Sequence, residues 1–284
     1  MVKIVTDSAS HYSRQQAADS GMYAVPLMVT IDHQSYRDYE EITDVQLLKK
    51  INEGKVPSTS QPSIGEKVDI YNEITEQGNE VIDITMADGL SGTYQSALIA
   101  RESCDHPEMV TVFNSKTLCV PEHILVAHAN QMAQAGRSKE EIMTMLEKSI
   151  ATDDSFMIPI DFQFLLRGGR TNNASAFLGG LLKLIPIIRR TDDAKRLEKY
   201  AIARTYKRAF GMMMDHFEKR GVDSTYTFCL AHAQNEELAA KAAQSICRRF
   251  GASVKIVVMP LCPSFIVQGG PGCLAFQTIK IIEK

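Results

Sequence analysis

No C-x-x-C pair occurs in this chain; its six cysteines, Cys104, Cys119, Cys229, Cys247, Cys262 and Cys273, lie far apart. Paired-cysteine zinc and redox chemistry are thereby excluded, and buried, reduced thiols are the expected state. Histidines give no metal signal either, because His123 and His128 are five residues apart and would turn to different faces of a helix. A surplus of lysine and arginine is also missing. With a net charge of −3 the chain lacks the electrostatics of a backbone-driven nucleic-acid binder. The opening MVKIVTDSAS has no basic segment followed by an apolar stretch and a cleavage site, so a cytoplasmic location is expected. The longest apolar region, 176–188, is shorter than a bilayer span and is interrupted by Lys183 and Pro186. At most transient membrane contact is expected. There is no Gly-x-x-x-x-Gly-Lys phosphate loop and no acidic cluster of the kind that holds magnesium.

What is present is an ordinary globular balance of 44% apolar and 23% charged residues over 284 positions, enough for two packed domains. The first half alternates. An apolar run through Val2, Ile4 and Val5 ends at Thr6-Asp7-Ser8 and reads as a strand. Helix is expected over 14–20, strand over 24–31, helix through Val45, Leu48 and Ile51, and a loop over 57–63. Helix 66–76, strand 81–86, helix 94–101 and strand 110–113 follow, an order that predicts a parallel sheet covered by helices. Ser138 and Glu141 form a capping box before a helix carrying Ile142, Met145, Leu146 and Ile150. A boundary near 152 divides the chain into an N-terminal three-layer α/β domain, 1–152, and a C-terminal α/β domain with a mixed sheet, 153–284. In the latter, Phe156, Ile158 and Ile160 alternate as a strand, Gly168-Gly169 breaks the chain, and 174–182 reads as a helix. Helices near 204–220 and 235–250 end at Gly221 and Gly251, and strands are expected over 225–231 and 253–259.

In open α/β sheets ligands collect beyond the carboxyl ends of the strands. Three loops there carry hydroxyls: Thr6-Asp7-Ser8, Ser58-Thr59-Ser60-Gln61, and Leu90-Ser91-Gly92-Thr93-Tyr94. Each has a plain reading as a turn or helix cap. Ser91-Gly92-Thr93 nevertheless combines free helix amides with hydroxyls, which suits a carboxylate or phosphate. Hydroxyls hold a carboxylate without the salt bridge that arginine would form, leaving it available for transfer.

Several segments together resemble the DegV family: Thr6-Asp7-Ser8, Val25-Pro26-Leu27, Thr59-Ser60-Gln61-Pro62-Ser63, Leu90-Ser91-Gly92-Thr93-Tyr94-Gln95-Ser96-Ala97, Gly168-Gly169-Arg170 and Gly270-Pro271-Gly272. They span nearly the whole chain. The resemblance implies a bacterial acyl carrier of phospholipid metabolism that encloses one long-chain fatty acid in an apolar tunnel between domains and has no catalytic residues or cofactor of its own. Thr59 and Ser91 would hydrogen-bond the carboxylate, with Ser60 beside them and Gly92 and Thr93 shaping the loop. Asp7, Ser8 and Arg170 would support the site or face a partner, although Arg170 also reads as part of a solvated basic surface. In members that work with a fatty acid kinase, the carrier presents the head group for acyl-phosphate formation. Apolar residues such as Phe164, Leu165, Phe177, Leu181, Phe265 and Ile266 would wall the tunnel or serve as plain core.

The chain departs from the family pattern at several positions. Gln268 stands where members usually carry histidine, removing any charge-assisted part of head-group binding while keeping a donor. Ile185 replaces a common lysine, Tyr39 a common glycine and Asn114 a common aspartate, and Pro121-Glu122 occupies a stretch that usually contains glycine. Kinase partnership is thereby left open. Two enzymatic alternatives compete. A serine hydrolase could use Ser91, Asp161 and His232, which occur in the chain order of α/β-hydrolases, but Gly89-Leu90-Ser91-Gly92-Thr93 lacks the Gly-x-Ser-x-Gly elbow. A phosphoryl-transfer enzyme could use Asp7 as nucleophile, but its phosphate and magnesium motifs are missing.

Overall fold

The apolar opening of the chain is a central strand. In a computed structural model that describes residues 1–171 and 184–283, β1 (Val2–Asp7) is flanked by helices and buried along nearly its whole length. Two compact units emerge. The first comprises Met1–Ala151, Cys262–Ser264 and the residues from Ile281; the second comprises Thr152–Leu261 and Phe265–Lys280.

In the first unit β1 leads through a single 3-10 turn at Ser8–Ser10 to α1 (Arg14–Asp19), which starts at a capping box of Ser13 and Gln16. The expected strand over 24–31 is instead two strands in two sheets. β2 (Tyr23–Val25) pairs in parallel with β1, and β3 (Met28–Ile31) joins a separate antiparallel sheet. Pro26 stands between them, with a fixed φ and no N–H to continue a ladder. β3 turns into β4 (Gln34–Arg37) through Asp32 and His33, both at positive φ. That is the two-residue hairpin geometry whose twist matches the flanking strands. After α2 (Asp44–Asn52) comes a second correction: within 57–63, expected to be loop, Ser58–Ser60 forms β5 and pairs with β3 in the register Val29↔Thr59. Three small hydroxyl residues carry no apolar alternation, so the partner strand supplies what local sequence does not.

α3 (Ile64–Glu76), β6 (Glu80–Thr85), α4 (Thr93–Ser103) and β7 (Val110–Asn114) complete the parallel sheet in the order β2-β1-β6-β7. On one face Ile70, Tyr71, Ile74 and Ala100 of α3 and α4 pack on Val5, Val81 and Val110. Ile4, Ile82 and Ile84, pointing the other way along the pleat, are fully buried too. α5 (Val120–Gln134) lies against β1, and α6 (Lys139–Ile150), which begins at the expected Ser138/Glu141 capping box, lies against α5. The expected three layers result.

The second unit holds β8 (Asp154–Ile158), α7 (Phe162–Gly168), β9 (Ile185–Arg190), β10 (Leu197–Ala203), α8 (Tyr206–Lys219), β11 (Thr227–His232), α9 (Glu236–Phe250), β12 (Lys255–Pro260), α10 (Pro263–Gly269) from Phe265 onward, and β13 (Leu274–Ile279). Its sheet order is β10-β9-β8-β13-β11-β12, with β11 and β12 parallel and the other pairs antiparallel. This is the expected mixed sheet. Phe156, Phe228 and Phe276 of the sheet meet Phe210, Met213 and Phe217 of α8 and Leu238, Ala242 and Ile246 of α9 in one core. Gly221 and Gly251 follow these helices at φ +81° and +99°, a region that favours glycine. Ile160, expected to extend β8, lies past its end and is half exposed. The helix expected over 174–182, with Phe177 and Leu181, lies outside the described residues.

Candidate functional site

β5 and β6 deliver the two hydroxyl loops. Along β5 side chains alternate, so Ser58 and Ser60 are exposed while Thr59 is half-buried on the other side. Beyond Gln61 and Pro62, Ser63 caps α3 by accepting from Glu66 N at 3.3 Å. The loop after β6 is wound tightly, with Leu90 N and Ser91 N both donating to Ala87 O, at 3.1 and 3.2 Å. Ser91 Oγ lies 2.8 Å from Thr93 Oγ1 and accepts from Thr93 N at 3.3 Å. Gly92 is the N-cap of α4 and brings no side-chain cap, so the first turn keeps open amides beside the Ser91 hydroxyl.

The two loops adjoin. Gln61 Oε1 stands 2.1 Å from the point a Cβ on Gly92 would occupy, which places the end of the β5 loop directly on the α4 entrance. Thr59, Ser60, Ser91, Gly92 and Thr93 are therefore gathered at one edge of the first unit.

Asp7 and Ser8 lie beneath that edge, both buried. The Asp7 carboxylate accepts from Ala9 N at 2.8 Å and Met86 N at 3.1 Å, stapling the end of β1 to the start of the Ser91 loop. Burial pushes its carboxyl up to about 6 against the opposing pull of Lys67. Ser8 Oγ accepts from Leu27 N at 3.0 Å and donates to Asp38 at 2.9 Å. Asp38, which also accepts from Ser264, is likewise raised to about 6 by burial, opposed by its hydroxyl partners. The first hydroxyl loop thus holds the backbone under the other two. Sequence reasoning named neither Asp38 nor Ser264, which meet from positions 226 residues apart with no motif joining them.

Within the second unit Gln268 and Arg170 converge on the end of α7. Gln268 Oε1 is 2.0 Å from the Cβ position of Gly168, and Arg170 Nη1 donates to Gly168 O. Gly169, at φ +69°, ends the helix in the left-handed region. Gly270 is required twice over, by a φ of +79° and by Phe164, whose ring carbon lies 2.7 Å from where a Cβ would be. Of the apolar residues expected to wall a tunnel, Phe164, Leu165, Phe265 and Ile266 are buried.

The residues of the two enzymatic alternatives make other contacts. His232 Nδ1 accepts from Asn235 N at 3.2 Å, and the Asp161 carboxylate caps α7 through Gln163 N at 2.9 Å. A hydrolytic base needs its imidazole held by the acid, and each of these two is committed to backbone instead. Asp7, sealed from solvent and already accepting two amides, is no accessible nucleophile.

Comparison with known proteins follows the same lines. The family described as "Uncharacterised protein, DegV family" matches residues 1–280. A DegV domain-containing protein of Caldanaerobacter subterraneus subsp. tengcongensis is 32% identical over 238 residues, covering 83% of this chain and 84% of its own. Protein DegV of Bacillus subtilis is 30% identical over 256 residues, covering 88% and 89%. Among solved structures, a fatty-acid-binding DegV family protein from Thermus thermophilus superposes with a TM-score of 0.88 at 28% identity, covering 99% of both chains. DegV of B. subtilis, itself a fatty-acid-binding protein, does so with a TM-score of 0.83 at 26% identity, covering 98% of this chain and 99% of that one. Spread over nearly the whole length, these likenesses make the chain a member of the DegV family.

Proposed function

We propose that this protein binds one long-chain fatty acid, its carboxylate received by Thr59 and Ser91, and that it acts as a carrier rather than an enzyme. The observation that carries the reading is the contact of Gln61 with Gly92, which brings the two hydroxyl loops to one place. Relatives that bind fatty acids support it. Burying methylenes contributes about 0.8 kcal/mol each, on the order of 12 kcal/mol gross for a sixteen-carbon chain. Two hydroxyl contacts to a charged group, worth ~1.5 to 3 kcal/mol each, then set orientation more than strength. A head group held by neutral donors stays reactive, which suits presentation to an ATP-dependent fatty acid kinase that forms the acyl phosphate. Gln268 and Arg170 serve as supporting donors under this reading.

Solvent extraction of natively purified protein, followed by mass spectrometry, should release a fatty acid in about one-to-one ratio. Thr59→Ala and Ser91→Ala should lower acyl transfer more than lipid content. Protein that carries no acyl chain and takes up no palmitate would end the proposal.

A further inference from the structure

We infer that Gln61 is a third head-group residue: a carboxamide seated on Gly92 by its oxygen, with its N–H groups turned to the bound carboxylate. The inference rests on the function just proposed and adds a specificity-determining residue to the same site.

Glycine at position 92 carries the first step. Its backbone, at φ −73° and ψ 2°, is open to any residue, so conformational freedom does not require glycine there. Space does. A Cβ would fall 2.1 Å from Gln61 Oε1 and 3.2 Å from its amide carbon, far inside contact distance. The hydrogen that glycine has in that direction meets the oxygen instead, a Cα–H···O contact. The bare α-carbon is thus a seat shaped for this one amide.

The backbone of Gln61 is held from both sides. β5 ends one residue before it, paired to β3, and Pro62 follows with a fixed φ, leading into the Ser63 cap of α3. Only the side chain is left to position, and Gly92 positions it. With the oxygen occupied, Nε2 lies further off, 4.0 Å from the same point, and donates to none of the described residues. Gln61 is itself exposed, so this donor is open to an incoming ligand beside Thr59 and Ser91. Like the hydroxyls, a carboxamide N–H donates without a charge of its own. Three neutral donors then surround the carboxylate, and an uncharged alcohol gains far less from them than an ionised acid does.

The test compares palmitate with hexadecanol on delipidated full-length protein, by displacement of a fluorescent fatty acid. Four proteins are needed: wild type, Gln61→Ala, Gly92→Ala and the double variant. Gln61→Ala should weaken palmitate roughly tenfold and hexadecanol less than twofold. Gly92→Ala should do the same, because the new methyl pushes aside the flexible end of Gln61 and not its backbone. The double variant should be no worse than Gln61→Ala alone, since one seat cannot be lost twice. Melting temperatures of the variants should stay at the wild-type value, which separates a head-group role from a structural one. If wild type prefers palmitate and Gln61→Ala keeps that preference, the inference is overturned while the carrier function stands. If the two single variants add, Gly92 is no seat for Gln61 and the inference is likewise overturned. If wild type binds neither probe, the carrier function fails, and the inference with it.

Discussion

The interiors of the two units differ in their apolar filling and in the cations that their buried carboxylates take as partners. The second is filled with aromatic rings: Phe217 packs edge-on to Phe156 and Phe228 and stacks on Phe276, with centroids 5.3 to 6.2 Å apart. Its buried carboxylates are paired with arginine and histidine: Asp154 gathers Arg189, His216 and Arg220 at 2.8 to 3.3 Å, and Asp153 pairs with Arg190 at 2.6 Å. The first unit buries a lysine as well. Lys67 of α3 is paired with Asp83 of β6, Tyr71 donates to the same carboxylate, and all three are inaccessible. Glu122, in the first turn of α5, is equally buried and neither of its oxygens has a hydrogen-bond partner among the described residues. Apolar packing tolerates many side chains of similar volume; a buried ion pair tolerates the loss of neither member. In the unit carrying the hydroxyl loops, the interior therefore tolerates the loss of neither Lys67 nor Asp83.

The largest effect that would test this contrast comes from Lys67→Met, which leaves the Asp83 charge buried without its cation. A loss of about 3–5 kcal/mol is expected in urea unfolding, and Lys67→Met with Asp83→Leu should recover much of it. A single variant as stable as wild type would show that the pair is not what holds this interior. Next in size is Glu122. Burial pushes its carboxyl well above the usual range, and the charges of Asp7 and Asp83 push further, with Lys67 opposing. The folded protein therefore holds protons on Glu122, and on Asp7 and Asp38, over pH values where the unfolded chain has released them. Stability from these groups is complete below their ordinary pKa values near 4 and declines as pH rises, through about 6 for Asp7 and Asp38 and through its own raised pKa for Glu122. Glu122→Gln should add about 1–2 kcal/mol at pH 8 and nothing at pH 4, as read from paired denaturation curves. An equal gain at both pH values would remove ionisation as the cause. The smallest effect belongs to the second unit. In Gly168→Ala the added methyl meets the mobile end of Gln268 at 2.0 Å, so stability should fall by under about 1 kcal/mol while Gln268 is displaced. A loss of several kcal/mol would mean that this region is as brittle as the interior of the first unit.

The hydroxyl loops were legible because each joins recognisable elements. Apolar runs mark β1 and β6, and capping chemistry marks Ser138. What escaped the sequence shares one physical feature, dependence on a distant partner. β5 is a strand only because β3 offers an edge, and residues 24–31 divide only because two sheets compete for them around Pro26. Gln61 was visible within its motif, yet its approach to Gly92 joins two loops that no local pattern connects. Pro121-Glu122 stood out as a departure from the family pattern, but nothing local said that the glutamate would be buried within the electrostatic reach of Asp7, Asp83 and Lys67.

By itself the amino-acid sequence determined the alternation of strands and helices, the mixed α/β class and the family, because periodicity, caps and turn residues act over a few neighbouring positions. Tertiary structure alone decided which hydroxyls are exposed at the loop edge and which are buried, where carboxyls are forced to hold protons, and that Gln61 meets Gly92. Those outcomes depend on burial and on approaches of a few ångström between residues far apart in the chain, and no local pattern encodes either.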